Sequence, residues 1–198
     1  MTNKELQRQR MRGYFIDAAI ELIDNEGVEA VSARRVAELA GYSYATIYNY
    51  FTDIKHLLWH CLPIYIERIN QQLQPERMPG PTGLDKLRQS VRAYAKFFVD
   101  YPHSFRFIFL TELGDTPEEL ISTMEKPTFN ETLMRILQEC VAEGVLTPEQ
   151  ASALIGMIGF TVNGALLFYL NNRLDVDEEE FFIMLDKALD PALNYGGK

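Results

Sequence analysis

Between Ser32 and Tyr50 the chain spells two short helices joined at one glycine, and few folds accommodate that arrangement. Ser32 has the hydroxyl of an N-cap, and Val36, Ala37 and Leu39 give the apolar side of a helix over residues 33–40. Gly41 permits a left-handed turn, and Ser43 is placed to cap a second helix over residues 44–50. That is the layout of a helix-turn-helix. A helix over residues 4–25 precedes it, with Phe15, Ala18, Ala19, Leu22 and Ile23 as its apolar stripe and Gly27 as its exit.

The same 3.6-residue periodicity runs through the rest of the chain, and strand signals are scarce. Thr52 or Asp53 caps a helix from Ile54 to about residue 73, with Leu57, Leu58, Cys61, Tyr65, Ile69 and Leu73 facing inward. The stretch QPERMPGPTG, residues 74–83, then interrupts it with three prolines and two glycines, which no helix continues through. Beyond it, helices are expected over residues 84–101, 104–113, 117–125, 128–143, 148–172 and 177–194. Thr147-Pro148-Glu149-Gln150 is an ordered helix start, with a cap, a first-turn proline and a glutamine at the third position. The expected fold is all-α with about nine helices: an N-terminal three-helix domain, residues 1–53, followed by a larger helical domain, residues 54–198.

A net charge of −9 is unusual for a partner of nucleic acid, so its distribution matters. Residues 1–60 carry seven basic against eight acidic side chains and are close to neutral, leaving the remainder acidic. Two cysteines, Cys61 and Cys140, imply no disulfide framework and fit a reducing cytoplasm. The polar N-terminus has no signal-peptide core. Residues 151–170 carry no charge over the length of a membrane span. Ser152, Thr161, Asn163 and three glycines interrupt that stretch, and no basic cluster anchors it, so a buried helix at a subunit interface explains it better than a membrane does.

Side chains in the leading turn of a recognition helix reach base edges in the major groove, while its flanks hold phosphates. Ser43, Tyr44, Ala45 and Thr46 offer hydroxyls and a methyl surface there, Tyr48 and Tyr50 offer phenol hydroxyls, and Arg34 and Arg35 lie on the preceding helix. The string GVEAVSARRVAELAGYSYATIYNYFTDIKHLL resembles the N-terminal domain of the TetR family of repressors. The likeness covers roughly residues 8–60, from the Ala18-Ala19 pair through Gly27, Ser32, Val36-Ala37 and Ala40-Gly41-Tyr42-Ser43 to Thr46-Ile47-Tyr48, Tyr50-Phe51 and Leu57-Leu58. It implies base contact by Arg34, base and sugar contact by Tyr44, Ala45 and Thr46, and phosphate contact by Tyr48 and Tyr50. Asn49 matches a variable position facing DNA. Tyr42 and Phe51 are expected as plugs of the small core. The family commonly has a phosphate-binding lysine three residues after the Phe51 position. Here Ile54 stands there, and either Lys55, about 100° further round the helix, replaces it or the contact is missing.

The resemblance also implies that residues 54–198 bind a small effector and dimerise. Reading palindromic double-stranded operator DNA requires a two-fold homodimer with recognition helices about 34–36 Å apart. The expected interface is the helices over 148–172 and 177–194, through Leu154, Ile155, Ile158, Val162, Leu166, Phe182, Leu185 and Leu189, paired as an intersubunit four-helix bundle. A pocket for a hydrophobic or aromatic effector is expected from Trp59, Tyr65, Phe97, Phe98, Tyr101, Phe105, Phe109, Phe129, Met134, Phe160 and Asn163, with Met124 nearby. Asn163 is a polar amide in an apolar helix, and its partner is its twin, a backbone group or the effector.

No enzyme motif is present: there is no GxSxG, no P-loop and no GxGxxG. His56 and His60 share a helix face and stand beside Cys61, but Leu57, Leu58 and Trp59 between them rule out HExxH. Neither metal nor cofactor is expected, and catalysis is not. The rival reading is a helix-turn-helix interaction protein whose acidic, aromatic-rich body binds a protein partner or a membrane.

Overall fold

The computed structural model describes residues 2–73, 83–123 and 129–194. Nine α-helices and no strand occur among these residues, so the chain is all-α as expected. The helices are α1 (Asn3–Glu26), α2 (Ala33–Leu39), α3 (Tyr44–Ile47), α4 (Ile54–Gln72), α5 (Gly83–Asp100), α6 (Pro102–Leu110), α7 (Phe129–Ala142), α8 (Pro148–Leu170) and α9 (Glu178–Asn194). Short 3₁₀ turns stand at Val28–Ala30 and Glu118–Thr123. The second occupies part of the stretch expected as a helix over 117–125. Two positions of that stretch, Met124 and Glu125, lie outside the described residues.

The helix ends follow their capping chemistry. Thr2 Oγ1 accepts the Glu5 amide while Glu5 returns the bond to Thr2, and Thr147 and Gln150 repeat the same box at α8. Asp53 Oδ1, not Thr52, accepts the His56 amide at 2.7 Å and starts α4. Gly41 at φ +79° closes α2, with the Tyr42 amide donating back to Ala37 O at 2.8 Å. α4 runs on through Pro63, and α6 begins at Pro102 rather than at residue 104 because proline tolerates the first helical position.

Two compact units result, and they do not follow a division at residue 53. The first comprises residues 1–67 and 101–126, and the second residues 68–100 and 127–198. In the first unit, α6 packs on α1, and α1 packs on α2. Its core holds Phe15, Ala19, Ile23, Val36, Ile47, Phe51, Leu57, Cys61, Tyr65 and Phe107, all buried. Phe15 is the hub, with ring centroids 5.5 Å from Tyr42, 5.8 Å from Tyr50 and 6.4 Å from Phe51. The buried Tyr65 ring donates its hydroxyl to Asp24 Oδ1 at 2.6 Å.

In the second unit α5, α7, α8 and α9 pack against one another. Leu87, Val91, Phe98, Leu133, Ile136, Leu137, Ile158, Val162, Leu166, Leu185 and Leu189 fill its interior. Ion pairs tie α5 to α9: Arg88 to Asp190 at 2.7 Å, Arg92 to Asp186, and Lys96 to Glu178 at 3.2 Å.

Candidate nucleic-acid interface

α3 is only one turn long, and the tightened backbone after Ile47 decides how its side chains stand. The Asn49 and Tyr50 amides bond back three residues, to Thr46 O and Ile47 O, so the expected helix over 44–50 gives way to turns beyond Ile47. Ile47 and Phe51 plug the core at 2% exposure each. Tyr44 at 63% and Tyr48 at 52% are thereby turned out. Ser43 has the extended backbone of an N-cap, but its hydroxyl bonds the Thr46 hydroxyl at 2.9 Å instead of a backbone amide. The leading turn thus presents a paired hydroxyl surface beside the exposed Ala45 methyl.

Arg34 is exposed and has no ion-pair partner among the described residues, which leaves its guanidinium available to a base edge. Arg35 is spoken for: it bonds both carboxylate oxygens of Glu26, at 2.6 and 2.9 Å. Asn49 is exposed and Tyr50 half-buried. Tyr42, expected as a core plug, is 36% exposed; its ring lies on Phe15 and stacks 6.4 Å from Tyr14. Ile54 is the first residue of α4 and half-buried, while Lys55 beside it is exposed and without an ion pair among the described residues.

The sequence reading missed two arginines on α1. Arg8 makes a long contact to Asn49 O, 3.5 Å, and lies 5.9 Å over the Tyr50 ring. Arg12 lies 4.9 Å over Phe51 and donates to His60 Nε2. Their four-residue spacing on one helix face was the available signal. Around them, His56 Nε2 bonds Glu119 Oε1 at 2.8 Å and stands 3.2 Å from His60 Nε2. Burial, with Arg12 and His56 adding to it, pulls the His60 pKa down to about 4. Burial likewise lowers Arg12, while backbone hydrogen bonding and then His56 hold Glu119 below the usual carboxylate range. Nothing in the sequence joins Glu119 to a histidine 63 residues away.

The residues expected to line an effector pocket divide between the units. Trp59, Tyr65, Tyr101, Phe105 and Phe109 belong to the first, and Phe97, Phe98, Phe129, Met134, Phe160 and Asn163 to the second. Tyr65, Phe97, Phe98, Phe105 and Phe129 are buried; Tyr101, Phe109 and Met134 are largely exposed. Trp59 donates its indole N–H to Leu113 O at 3.2 Å. Phe160 is 85% exposed and faces outward from α8. Asn163 finds its partners within its own unit. Tyr94 donates its hydroxyl to Asn163 Oδ1, and Asn163 Nδ2 donates to Gly159 O, both at 3.0 Å. Phe129 stacks on Tyr94 at 3.7 Å.

The residues expected at a dimer interface lie mostly inward in the single chain. Leu154, Ile158, Val162, Leu166, Phe182, Leu185 and Leu189 are all buried inside the chain, and Ile155 is half-buried. They are the inner stripe of α8 and α9, spent on the chain's own core. The outer stripe is apolar as well: Met157, Phe160, Leu167 and Phe168 on α8, with Ile183 and Met184 on α9. By length and composition α8 is also the one helix among the described residues able to cross a membrane.

Comparison with known proteins agrees with this geometry. The profile described as "Bacterial regulatory proteins, tetR family" matches residues 15–60. The HTH-type transcriptional repressor KstR of Mycolicibacterium smegmatis is 36% identical over 83 residues, 42% of this chain. The chain spans 40% of that relative's length. A protein with unknown function from Rhodococcus sp. RHA1 superposes with a TM-score of 0.75 at 18% identity, covering 93% of this chain and 94% of that one. The transcriptional regulator FadR from Bacillus subtilis, in complex with stearoyl-CoA, does so with a TM-score of 0.64 at 20% identity, covering 91% and 96%. At such identities the solved structures share the fold, while the profile falls on α1–α4, where the exposed Tyr44, Tyr48 and Arg34 stand. Residues 15–60 thus match the N-terminal domain of the tetR family of bacterial regulatory proteins, and the chain as a whole shares its fold with the solved structures.

Proposed function

We propose that the chain is a cytoplasmic transcriptional repressor that binds a palindromic operator as a homodimer and is released by a small hydrophobic effector. The observation that carries the reading is the outward presentation of Tyr44, Tyr48 and the unpaired Arg34 around a turn anchored by Ile47 and Phe51. A turn held from beneath by two core side chains reaches a groove without first being ordered, and that lowers the cost of binding. DNA reading is assigned to residues 1–53, with Ser43, Ala45, Thr46, Asn49, Tyr50 and Lys55 as further contacts, and effector binding and dimerisation to residues 54–198.

Dimerisation is assigned to the outer stripe of α8 and α9, where six large apolar side chains lie exposed. A patch of that kind is unusual on a monomer and ordinary at a two-fold interface. The likeness of fold to FadR supports long-chain acyl-CoA as the first effector to try. Its binding would favour a dimer in which α4 has moved and the recognition helices have left the operator spacing, a coupling of about 1–3 kcal/mol.

The test is binding to DNA from upstream of the chain's own gene, with excess non-specific competitor and Tyr48→Ala as control. A competitor-resistant complex, lost in the variant, is the expected result, and footprinting then locates the palindrome. A native protein that binds no better than Tyr48→Ala on any upstream fragment at low salt would overturn the reading. The interaction-protein alternative predicts a partner complex that persists at high salt.

A further inference from the structure

We propose that His56 Nε2, His60 Nε2 and Glu119 Oε1 form a site for one divalent transition-metal ion of the zinc class. The three donor atoms already stand at coordination spacing. Their separations are 3.2 Å between the histidines, 2.8 Å from His56 to Glu119 and 3.8 Å from His60 to Glu119. Two ligands of a tetrahedral ion bonded at about 2.0–2.1 Å lie about 3.3 Å apart, and the observed edges bracket that value. Two imidazoles and a carboxylate select zinc, nickel, copper or cobalt, whereas magnesium and calcium prefer all-oxygen sites.

The surroundings support such an ion. His56 and His60 stand four residues apart on one face of α4, so the helix itself fixes their separation. Phe51 packs its ring against both imidazoles, with centroids 5.7 and 5.6 Å away, and holds their planes. The Thr52 amide donates to His56 Nδ1 at 3.1 Å, with Thr52 Oγ1 3.2 Å from the same nitrogen; an ion at Nε2 moves the imidazole proton to Nδ1, so the amide bond must open and the hydroxyl take over as acceptor. Beside the donors opens a cavity of about 380 Å³, lined by His56, Glu119, Asp53, Asp115, Lys55 and Trp59. It leaves a fourth coordination position to water, and its three carboxylates outnumber its one lysine.

Arg12 is the group an ion must displace. Its guanidinium now donates to the His60 Nε2 lone pair, and a cation cannot share that nitrogen. Arg12 already lies 4.9 Å over the Phe51 ring, a contact that does not involve the His60 nitrogen. Metal entry therefore moves a side chain of α1, the helix that supports the DNA-reading turn. The site does not depend on the DNA-binding assignment, and its test needs no operator.

The untagged full chain, stripped by chelator, is titrated with Co²⁺ followed by visible absorption and with Ni²⁺ followed by quenching of Trp59, the chain's one tryptophan. One ion per chain is expected, displaced by Zn²⁺ and indifferent to Mg²⁺. Glu119→Gln, at an exposed position that leaves the core untouched, weakens binding at least about tenfold, as does His60→Gln. Arg12→Met tightens it, and circular dichroism checks that each variant keeps its helix content. No saturable binding up to about 1 mM, or Glu119→Gln and His60→Gln both binding as tightly as the native chain, would overturn the proposal.

Discussion

Gly41 and Gly13 look alike in having no atom within 4 Å of where a Cβ would stand, yet they make opposite demands. Gly41 sits at φ +79°, so Gly41→Ala meets backbone strain alone, about 1–2 kcal/mol. Gly13 lies inside α1 with ordinary helical backbone, so Gly13→Ala raises stability by about 0.5–1 kcal/mol. Urea midpoints at unchanged slope should move in opposite directions for the two variants. Cys61 provides a chemical test of the same core. It is fully buried, and burial, with Asp17 and Asp24 adding to it, pushes its thiol far above the ordinary range, so it stays protonated at any physiological pH. Native protein at pH 8 should leave Cys61 unalkylated by iodoacetamide, and urea-unfolded protein should not; mass spectrometry of the peptide decides. At this scale the sequence was informative wherever one side chain bonds its own backbone, as at Ser32 and Thr147. It was silent where a residue's role depends on a distant partner, as for Glu119 with His56, or Asn163 with Tyr94.

The elements were legible from periodicity, but a helix that is apolar all round gives no sign of which side faces in. α8 is such a helix, and its two apolar stripes are told apart only by what covers them. Ile158, Val162 and Leu166 meet the chain's own core, and Met157, Phe160 and Phe168 do not. α5 is the contrasting case: charged and apolar residues alternate at helical spacing, and Leu87, Val91, Tyr94 and Phe98 all fall inside as that pattern requires. The outer stripe of α8 makes a specific demand. Phe160→Glu places a charge where a dimer would bury it, at a position 85% exposed in the single chain. Sedimentation should show a shift from dimer to monomer while circular dichroism stays unchanged. A variant that remains dimeric would move the interface elsewhere. The 3₁₀ turn at Glu118–Thr123 marks another limit of periodicity. Pro117 and Pro127 leave room for little more than two helical turns there, too short a run for a pattern to separate 3₁₀ from α.

At the scale of the whole molecule, charge and chain connectivity matter most. The near-neutral first 60 residues and the acidic remainder leave the recognition surface without a broad basic field, so affinity for an operator should rest on a few discrete phosphate contacts. The logarithm of the affinity should fall linearly with the logarithm of salt. Lys55→Ala should reduce the magnitude of that slope by about one if Lys55 has taken over the contact vacated at Ile54. An unchanged slope would mean the contact is absent. The division of the chain has a wider consequence. The backbone passes from one unit to the other three times, after Glu67, Asp100 and Lys126. No single scission can therefore liberate the headpiece. A fragment ending at residue 60, where the family profile stops, would forfeit α6 and strip α1 of the helix that covers it. In heredity the same constraint acts on recombination: a DNA-reading cassette grafted from a cousin at that boundary would arrive without its keystone, and α6 must travel with it.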